Sequence, residues 1–384
     1  MLCKTPARIE LLLVALLTLM AAPQVCLGGD AVQGEQIDRI FAGIDSPRAP
    51  GAAVLVLKNG HVVFERGYGV ADLHSFHKID THTNFRLASC TKQFTAMAIM
   101  LLVHDGKLHY GDRLSDVFPD FPEYGKSITI RNLLNHTSGL LDYEDLMAKP
   151  SVNPLAEQVS QIKDDGVLEI LRRQKTTKFL PGTKWDYSNS GYAVLAMVVQ
   201  QISGQLFGDF LHERIFAPLK MNATVAYEKG KNTISTRAYG HTHDSGAWRE
   251  GAWHEMDQSS TSAVLGDGGV YSSLDDLAKW DQALAGHTLL SETEMKPAIT
   301  PVRVSDGSVQ EPDGTPAAYG FGWFLNSYKG HPRMWHYGET VGFRTTIQRF
   351  TDENLTIIVL CNRDDLVPAN LAVRVADLFF AAQP

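Results

Sequence analysis

A serine three residues ahead of a lysine on a helix puts a hydroxyl and an amine one turn apart, about 5–6 Å between Cβ atoms, where the amine can take the hydroxyl proton. The chain contains this spacing three times, at Ser75/Lys78, Ser89/Lys92 and Ser160/Lys163, so spacing alone does not choose between them. Context does. Cys90 to His104 (CTKQFTAMAIMLLVH) is apolar on nearly all faces and can be closed by Gly106, the pattern of a buried helix whose N-terminus is at Ser89. There the helix dipole and unpaired N–H groups stabilise developing negative charge, and burial lowers the lysine pKa. The plain alternative for Ser89/Lys92 is an N-cap serine with a solvated lysine.

A second element would be a phenol that relays a proton to the leaving group. Tyr187-Ser188-Asn189 is the one Tyr-x-Asn in the chain and follows Pro181-Gly182 in a loop, where a scaffold commonly places such groups; by itself it reads as a turn tyrosine packing on Tyr192. A third is His336-Tyr337-Gly338 at a strand edge, where glycine lets a substrate backbone approach closely. A histidine of ordinary pKa, about 6.5, would become cationic there as pH falls. Three further [HK]-x-G matches begin at Lys58, His104 and His109, and none lies beyond the Tyr-x-Asn in a strand region.

Other chemistries drop out. The chain has no GxxxxGK[ST] loop and no GxSxG elbow, and His212-Glu213 and His254-Glu255 lack the second histidine of HExxH. His241, His243 and Asp244 read as a solvated loop rather than a metal site, since nothing nearby completes a coordination set. No cofactor or metal is expected. A net charge of -8 without clustered Lys and Arg excludes a nucleic-acid footprint.

The elements that must position these residues are ordinary globular ones. The 384 residues, 44% hydrophobic and 20% charged, suffice for a sizeable core. Lys4 and Arg8 precede the apolar run Leu11 to Ala22, too short to span a bilayer, which reads as a secretory leader cleaved between Cys26 and Ala31. The expectation is therefore a periplasmic or secreted protein with no integral membrane span after cleavage. Cys90 and Cys361 remain as small buried hydrophobes rather than a disulfide framework. Gln36 to Ile44 predicts a helix. Ala52 to Leu57 and His61 to Tyr68 predict strands joined at Asn59-Gly60. Helical and loop signals occupy 110–266, at Ile130–Leu134, Gly166–Arg173, Tyr192–Ile202 and Phe207–Phe216. Ser273 then caps a helix over Leu274–Leu284. Phe321–Leu325, Arg344–Phe350 and Leu355–Leu360 predict strands, and a final helix runs from about Leu366 to Phe380.

FRLASCTKQFTAMAIM, ITIRNLLNHTSGL, PGTKWDYSNSGY, DGGVYSSLDDLAKW and YGFGWF, in that order, resemble the class C β-lactamase and serine DD-peptidase superfamily, which also holds esterases and D-aminopeptidases. The resemblance covers roughly 35–380. It implies an α+β fold, an antiparallel sheet flanked by helices (29–109 and 267–384, after a leader at 1–28) plus an all-helical domain (110–266), with the site between them. Carried over, Ser89 is the acylated nucleophile, Lys92 its base partner and Tyr187 the relay, while Asn189 bonds a substrate amide or carbonyl. The N–H groups of Ser89 and Glu339 would form the oxyanion hole, with His336 and Gly338 completing the substrate-binding strand. Where β-lactamases carry Lys-Thr-Gly, this chain has His336-Tyr337-Gly338 followed by Glu339, which weakens recognition of a substrate carboxylate. The implied activity is a serine hydrolase acting on a small-molecule ester or peptide-like amide. The alternatives are a β-lactamase or D-Ala-D-Ala carboxypeptidase and, from another class, a non-catalytic relative that binds cell-wall peptides.

Overall fold

The computed structural model describes Met1 and residues 27–147, 160–243, 253–311 and 313–380, with the backbone alone for 27–32. The apolar run Leu11–Ala22, Cys26 and Asp244 lie outside the described residues. Helix α1 is Leu27–Phe41, beginning well ahead of the expected Gln36. Strands β1 (Ala52–Lys58) and β2 (His61–Tyr68) form a hairpin whose turn residues Asn59 and Gly60 both sit at positive φ, 52° and 76°. That is the geometry a two-residue turn needs to match strand twist, and Asn-Gly reaches it at low cost.

Helix α2 is Lys92–His104, α3 Asn189–Ser203 and α4 Leu274–Ala285. The expected start of α2 at Ser89 is corrected: Ala88–Thr91 form a 3-10 turn, and Ala88 enters it in the left-handed region at φ 47°. Few non-glycine residues adopt that conformation, and it is one place where active sites hold strain. Ser273 caps α4 as its sequence predicts, its side chain accepting from the Asp276 N–H.

The remaining strands are β3 (Val309–Gln310), β4 (Pro316–Tyr319), β5 (Phe324–Tyr328), β6 (His331–Thr340), β7 (Phe343–Phe350) and β8 (Leu355–Cys361), before α5 (Pro368–Ala376). Among the described residues the main sheet has the order β2-β1-β8-β7-β6-β5-β4-β3, every neighbour antiparallel. Helices cover both faces, so β1 and β8 read as continuous apolar runs instead of alternating. Ala53, Leu55, Leu57, Ile358 and Leu360 pack in one core with Phe94 of α2 and Leu277 of α4. Val54, Val56, Ile357 and Val359 pack in another with Phe41 of α1 and Val375 of α5.

Helices Ile130–Leu134 and Asp164–Arg172 lie between α2 and α3 in the chain, as expected. The 110–266 stretch is not purely helical, however. Val225–Ala226 pairs with Val270–Ser272, which also pairs with Phe85–Arg86, and His241–His243 pairs with Trp253–Glu255. These strands are two or three residues long, too short to leave a period-2 signature.

Strand β6 is paired unequally. β7 matches it from Arg333 to Thr340, whereas β5 matches it only from His331 to Trp335. From His336 onward one side of β6 has no strand beside it among the described residues, so the expected strand edge exists locally inside the sheet. The glycine there also has a packing purpose. A Cβ on Gly338 would lie 2.1 Å from Leu87 O and 2.3 Å from Thr345 Oγ1, so this residue lets the turn carrying Ser89 seat directly on the strand. Gly338→Ala should destabilise the protein by about 1–3 kcal/mol through overpacking and displace the Ser89 turn. Denaturation midpoints together with the rate of Ser89 labelling check this.

Candidate active site

Ser89 is half-buried between fully enclosed Ala88 and Cys90. The Lys92 side chain, one turn on, is entirely removed from solvent. Its Nζ donates to Ser89 Oγ at 2.9 Å, Asn189 Oδ1 at 2.9 Å and the Asp267 backbone O at 3.0 Å. Three ammonium protons thus meet three acceptors. The amine also lies 4.9 Å from the centre of the Tyr187 ring and 5.5 Å from that of Tyr192, in the range of cation–π attraction. Desolvation lowers the Lys92 pKa to about 8, against the opposing pull of Asp267, Glu144 and Asp142. Near neutrality a usable fraction is therefore the free amine, whose lone pair faces the serine hydroxyl.

The other two Ser-x-x-Lys pairs engage different partners: Ser75 binds Asp72, and Lys163 faces Glu228 at 3.4 Å.

Tyr187 comes from the loop that leads into α3. Ser188 caps that helix by accepting from the Gly191 N–H at 3.1 Å. The Tyr187 hydroxyl is enclosed and has no well-formed hydrogen bond among the described residues. Burial pushes its pKa well up, while Ser89 is close enough to favour the ionised form in part. It is therefore a neutral phenol, able to pass a proton rather than serve as a standing base.

His136 fixes this loop. Itself at φ 60°, it accepts the Asp186 N–H on its carbonyl at 3.0 Å and the Ser188 N–H on Nδ1 at 3.1 Å, bracketing Tyr187 from both sides. Its ring centre is 4.4 Å from that of Tyr187. Burial holds its pKa well below the ordinary value, and the Lys92 charge adds to this.

His336 is fully buried, and the expectation that it gains a charge near pH 6.5 is overturned. Nδ1 lies 2.6 Å from Tyr337 O and Nε2 3.0 Å from the Tyr319 hydroxyl, which assigns the proton to Nδ1 and makes Nε2 an acceptor. Desolvation, then the charge of Lys92, lowers its pKa to about 3. His336 is a neutral wall of the site. Glu339 is exposed and paired with Arg344 at 3.0 Å, so its carboxylate is partly neutralised. Asn189 has its Oδ1 committed to Lys92, so only its amide nitrogen is left to donate elsewhere.

Three contributors carry no signal in residue spacing: His136, Asp267 and Tyr143, whose hydroxyl donates to Asp267 Oδ2 at 3.0 Å. His136 and Asp267 lie inside two of the family-like blocks, ITIRNLLNHTSGL and DGGVYSSLDDLAKW, the one place they could have been found. The expected solvated loop at His241 is corrected, since His241 is buried in a short strand with Nδ1 3.2 Å from Asn362 O. Among the described residues no cluster of His, Cys, Asp and Glu is arranged to hold a metal ion. Cys90 and Cys361 are free and buried, their thiols pushed up to about 12 by desolvation.

A sheet flanked by helices, with a serine, a buried lysine and a phenol meeting at the start of one of them, defines a serine hydrolase. The family model described as Beta-lactamase matches residues 37–380, and the chain belongs to that family. Penicillin-binding protein 4* of Bacillus subtilis is 31% identical over 338 residues, covering 86% of this chain and 72% of the relative. D-aminopeptidase of Brucella canis is 30% identical over 322 residues, covering 82% of this chain but only 57% of the longer relative. Among solved structures, D-amino acid amidase of Ochrobactrum anthropi in complex with D-phenylalanine superposes with a TM-score of 0.70 at 26% identity, covering 91% of this chain and 98% of that one.

Because the enclosed Tyr187 hydroxyl has no well-formed hydrogen bond among the described residues, Tyr187→Phe should leave the melting temperature unchanged or slightly raised. Calorimetry on the two proteins checks this.

Proposed function

We propose that this serine hydrolase cleaves small peptide-like amides, with D-amino-acid amides and peptides foremost, through an acyl intermediate on Ser89. The observation that carries the reading is the buried Lys92 amine 2.9 Å from Ser89 Oγ. The amide preference is supported by similarity to D-aminopeptidase and D-amino acid amidase; esters are the easier substrates for the same steps.

In the proposed sequence, neutral Lys92 takes the Ser89 hydroxyl proton while Oγ bonds to the substrate carbonyl carbon. The carbonyl electron pair moves onto oxygen, where the N–H groups of Ser89 and Glu339 hold it, typically worth about 2.7–4 kcal/mol per donor. As the C–N bond breaks, the leaving nitrogen takes a proton passed from Lys92 through the Tyr187 phenol. Water then enters by the reverse relay, adds to the acyl carbon and releases the acid, returning the proton to Ser89. The Asn189 amide nitrogen orients the substrate carbonyl.

Export is a separate proposal, supported by Lys4, Arg8 and the apolar run that follows them. N-terminal sequencing of protein recovered from outside the cytoplasm tests it.

Ser89→Ala should abolish both turnover and labelling by a fluorophosphonate while leaving the protein folded, with only a small fall in the thermal midpoint from the acceptor lost to Lys92, because the hydroxyl contributes chemistry and little packing. Label found on Ser75 or Ser160 would sink the assignment. Comparing a D-alanine anilide, p-nitrophenyl butyrate, nitrocefin and a D-Ala-D-Ala peptide tests the substrate class. The anilide and the ester should be turned over well, and faster turnover of nitrocefin than of the anilide would overturn the amide reading. The acylation rate should climb with pH through about 8, as the Lys92 ammonium releases its proton. A flat profile across that range would remove Lys92 as the base.

A further inference from the structure

Lys92 is held in a closed ring of hydrogen bonds that leads back to itself. One Nζ proton goes to the Asp267 carbonyl at 3.0 Å. The Asp267 carboxylate receives the Tyr143 hydroxyl at 3.0 Å, and the Tyr143 N–H donates to Ser190 Oγ at 2.9 Å. Ser190 follows Asn189, whose Oδ1 takes a second Nζ proton at 2.9 Å. The short turn Leu265–Gly268 that presents Asp267 is itself clamped. Asp164 accepts the Leu265 and Gly266 N–H groups at 2.8 and 3.0 Å, Thr95 Oγ1 donates to Gly266 O at 2.7 Å, and Arg86 Nε donates to Gly268 O at 3.2 Å. Asp267 cannot drift away from the amine without breaking several of these bonds.

We propose that Asp267, held by Tyr143, is a positioning residue that sets where the Lys92 amine points and how readily it gives up its proton to begin acylation. This rests on Lys92 being the base for Ser89. Asp267 contributes a nearby negative charge on a rigid support, and a negative charge favours the ammonium over the amine. The groups surrounding Lys92 leave Asp267 the leading part. His136 and His336 are held neutral by burial, the phenols Tyr187 and Tyr192 are pushed well above neutrality, and the Cys90 thiol is pushed up to about 12. Glu144 and Asp142 act in the same sense as Asp267 but rank below it. Around Asp267 itself, burial raises the carboxyl pKa to about 6, and Lys92, Tyr143 and Arg86 pull it back down. Asp164, raised to about 7 by burial, repels it. Above pH 6 Asp267 is therefore mainly anionic.

The test is Asp267→Asn, which keeps the backbone carbonyl and an acceptor for Tyr143 while removing the charge. Without that charge the Lys92 ammonium is less favoured, so the acid limb of the labelling rate should move to lower pH by at least about 0.5 unit. Tyr143→Phe removes a bond that favours ionised Asp267, so its limb should move the same way by less. A purely structural role would lower the rate at every pH and leave the limb in place, which would overturn the proposal. The Lys92 titration is read independently by 13C-lysine NMR, its signal identified by its loss in Lys92→Ala. It should fall in Asp267→Asn whether or not the wild-type protein labels at Ser89; a fall without wild-type labelling would defeat the hydrolase reading, and the acylation step with it, while keeping the hold of Asp267 on the Lys92 proton. A Lys92 titration unmoved by Asp267→Asn would overturn the proposal.

Discussion

Lys92 is enclosed entirely by protein, and an alkylammonium in that position loses its hydration unless acceptors replace it. Ser89, Asn189 and Asp267 supply those acceptors from three segments far apart in sequence. The same enclosure weakens the hold of nitrogen on its third proton. Stability and reactivity are therefore opposed at one atom: each partner that makes the charged lysine easier to bury also makes its amine scarcer. Neutral imidazoles on two sides add no compensating charge, which keeps the balance in the hands of a few carboxylates.

Backbone contacts rather than long side chains set the geometry around that lysine. Gly338 lets β6 touch Leu87, and Gly322, at φ 77°, lies where a Cβ would meet Lys92 O at 2.9 Å. Gly266 lies against Tyr192 O in the same manner, with 2.3 Å to a hypothetical Cβ. Close-packed main chain leaves few soft degrees of freedom, so the Ser89 turn, the start of α2 and the Asp267 turn behave as one piece. Left-handed Ala88 is tolerated because its surroundings determine its conformation more strongly than its own preference does.

Much of this was legible in the amino-acid sequence where the cause is local. Asn59-Gly60 makes its hairpin and Ser273 its cap through bonds spanning two or three residues, and β1 and β8 announce themselves as apolar runs. Ser89, Lys92 and Tyr187 converge as the family-like blocks imply. The properties that were not legible depend on distant partners. Nothing near His336 in sequence shows that Tyr319 and Phe324 will enclose it, so its neutrality comes only with the fold. Asp267 meets Lys92 across 175 positions, and no periodicity records such a meeting. The start of α2 was misplaced because one left-handed alanine, a conformation with no sequence signature, delays the helix.

The unequal pairing of β6 sets a length scale. Five residues, His336 to Thr340, have a strand on one side only, and at about 3.3 Å per residue that open stretch is roughly 16 Å long. An extended molecule laid along it would have that distance before running into β5, which already occupies the next positions, and it would meet Tyr337 and Thr340 carbonyls that His336 and Arg344 already engage. Anything longer must turn away from the sheet and travel on through contacts of another kind. An edge of that length would span only the first few bonds around a reacting centre, whatever the size of what they are attached to.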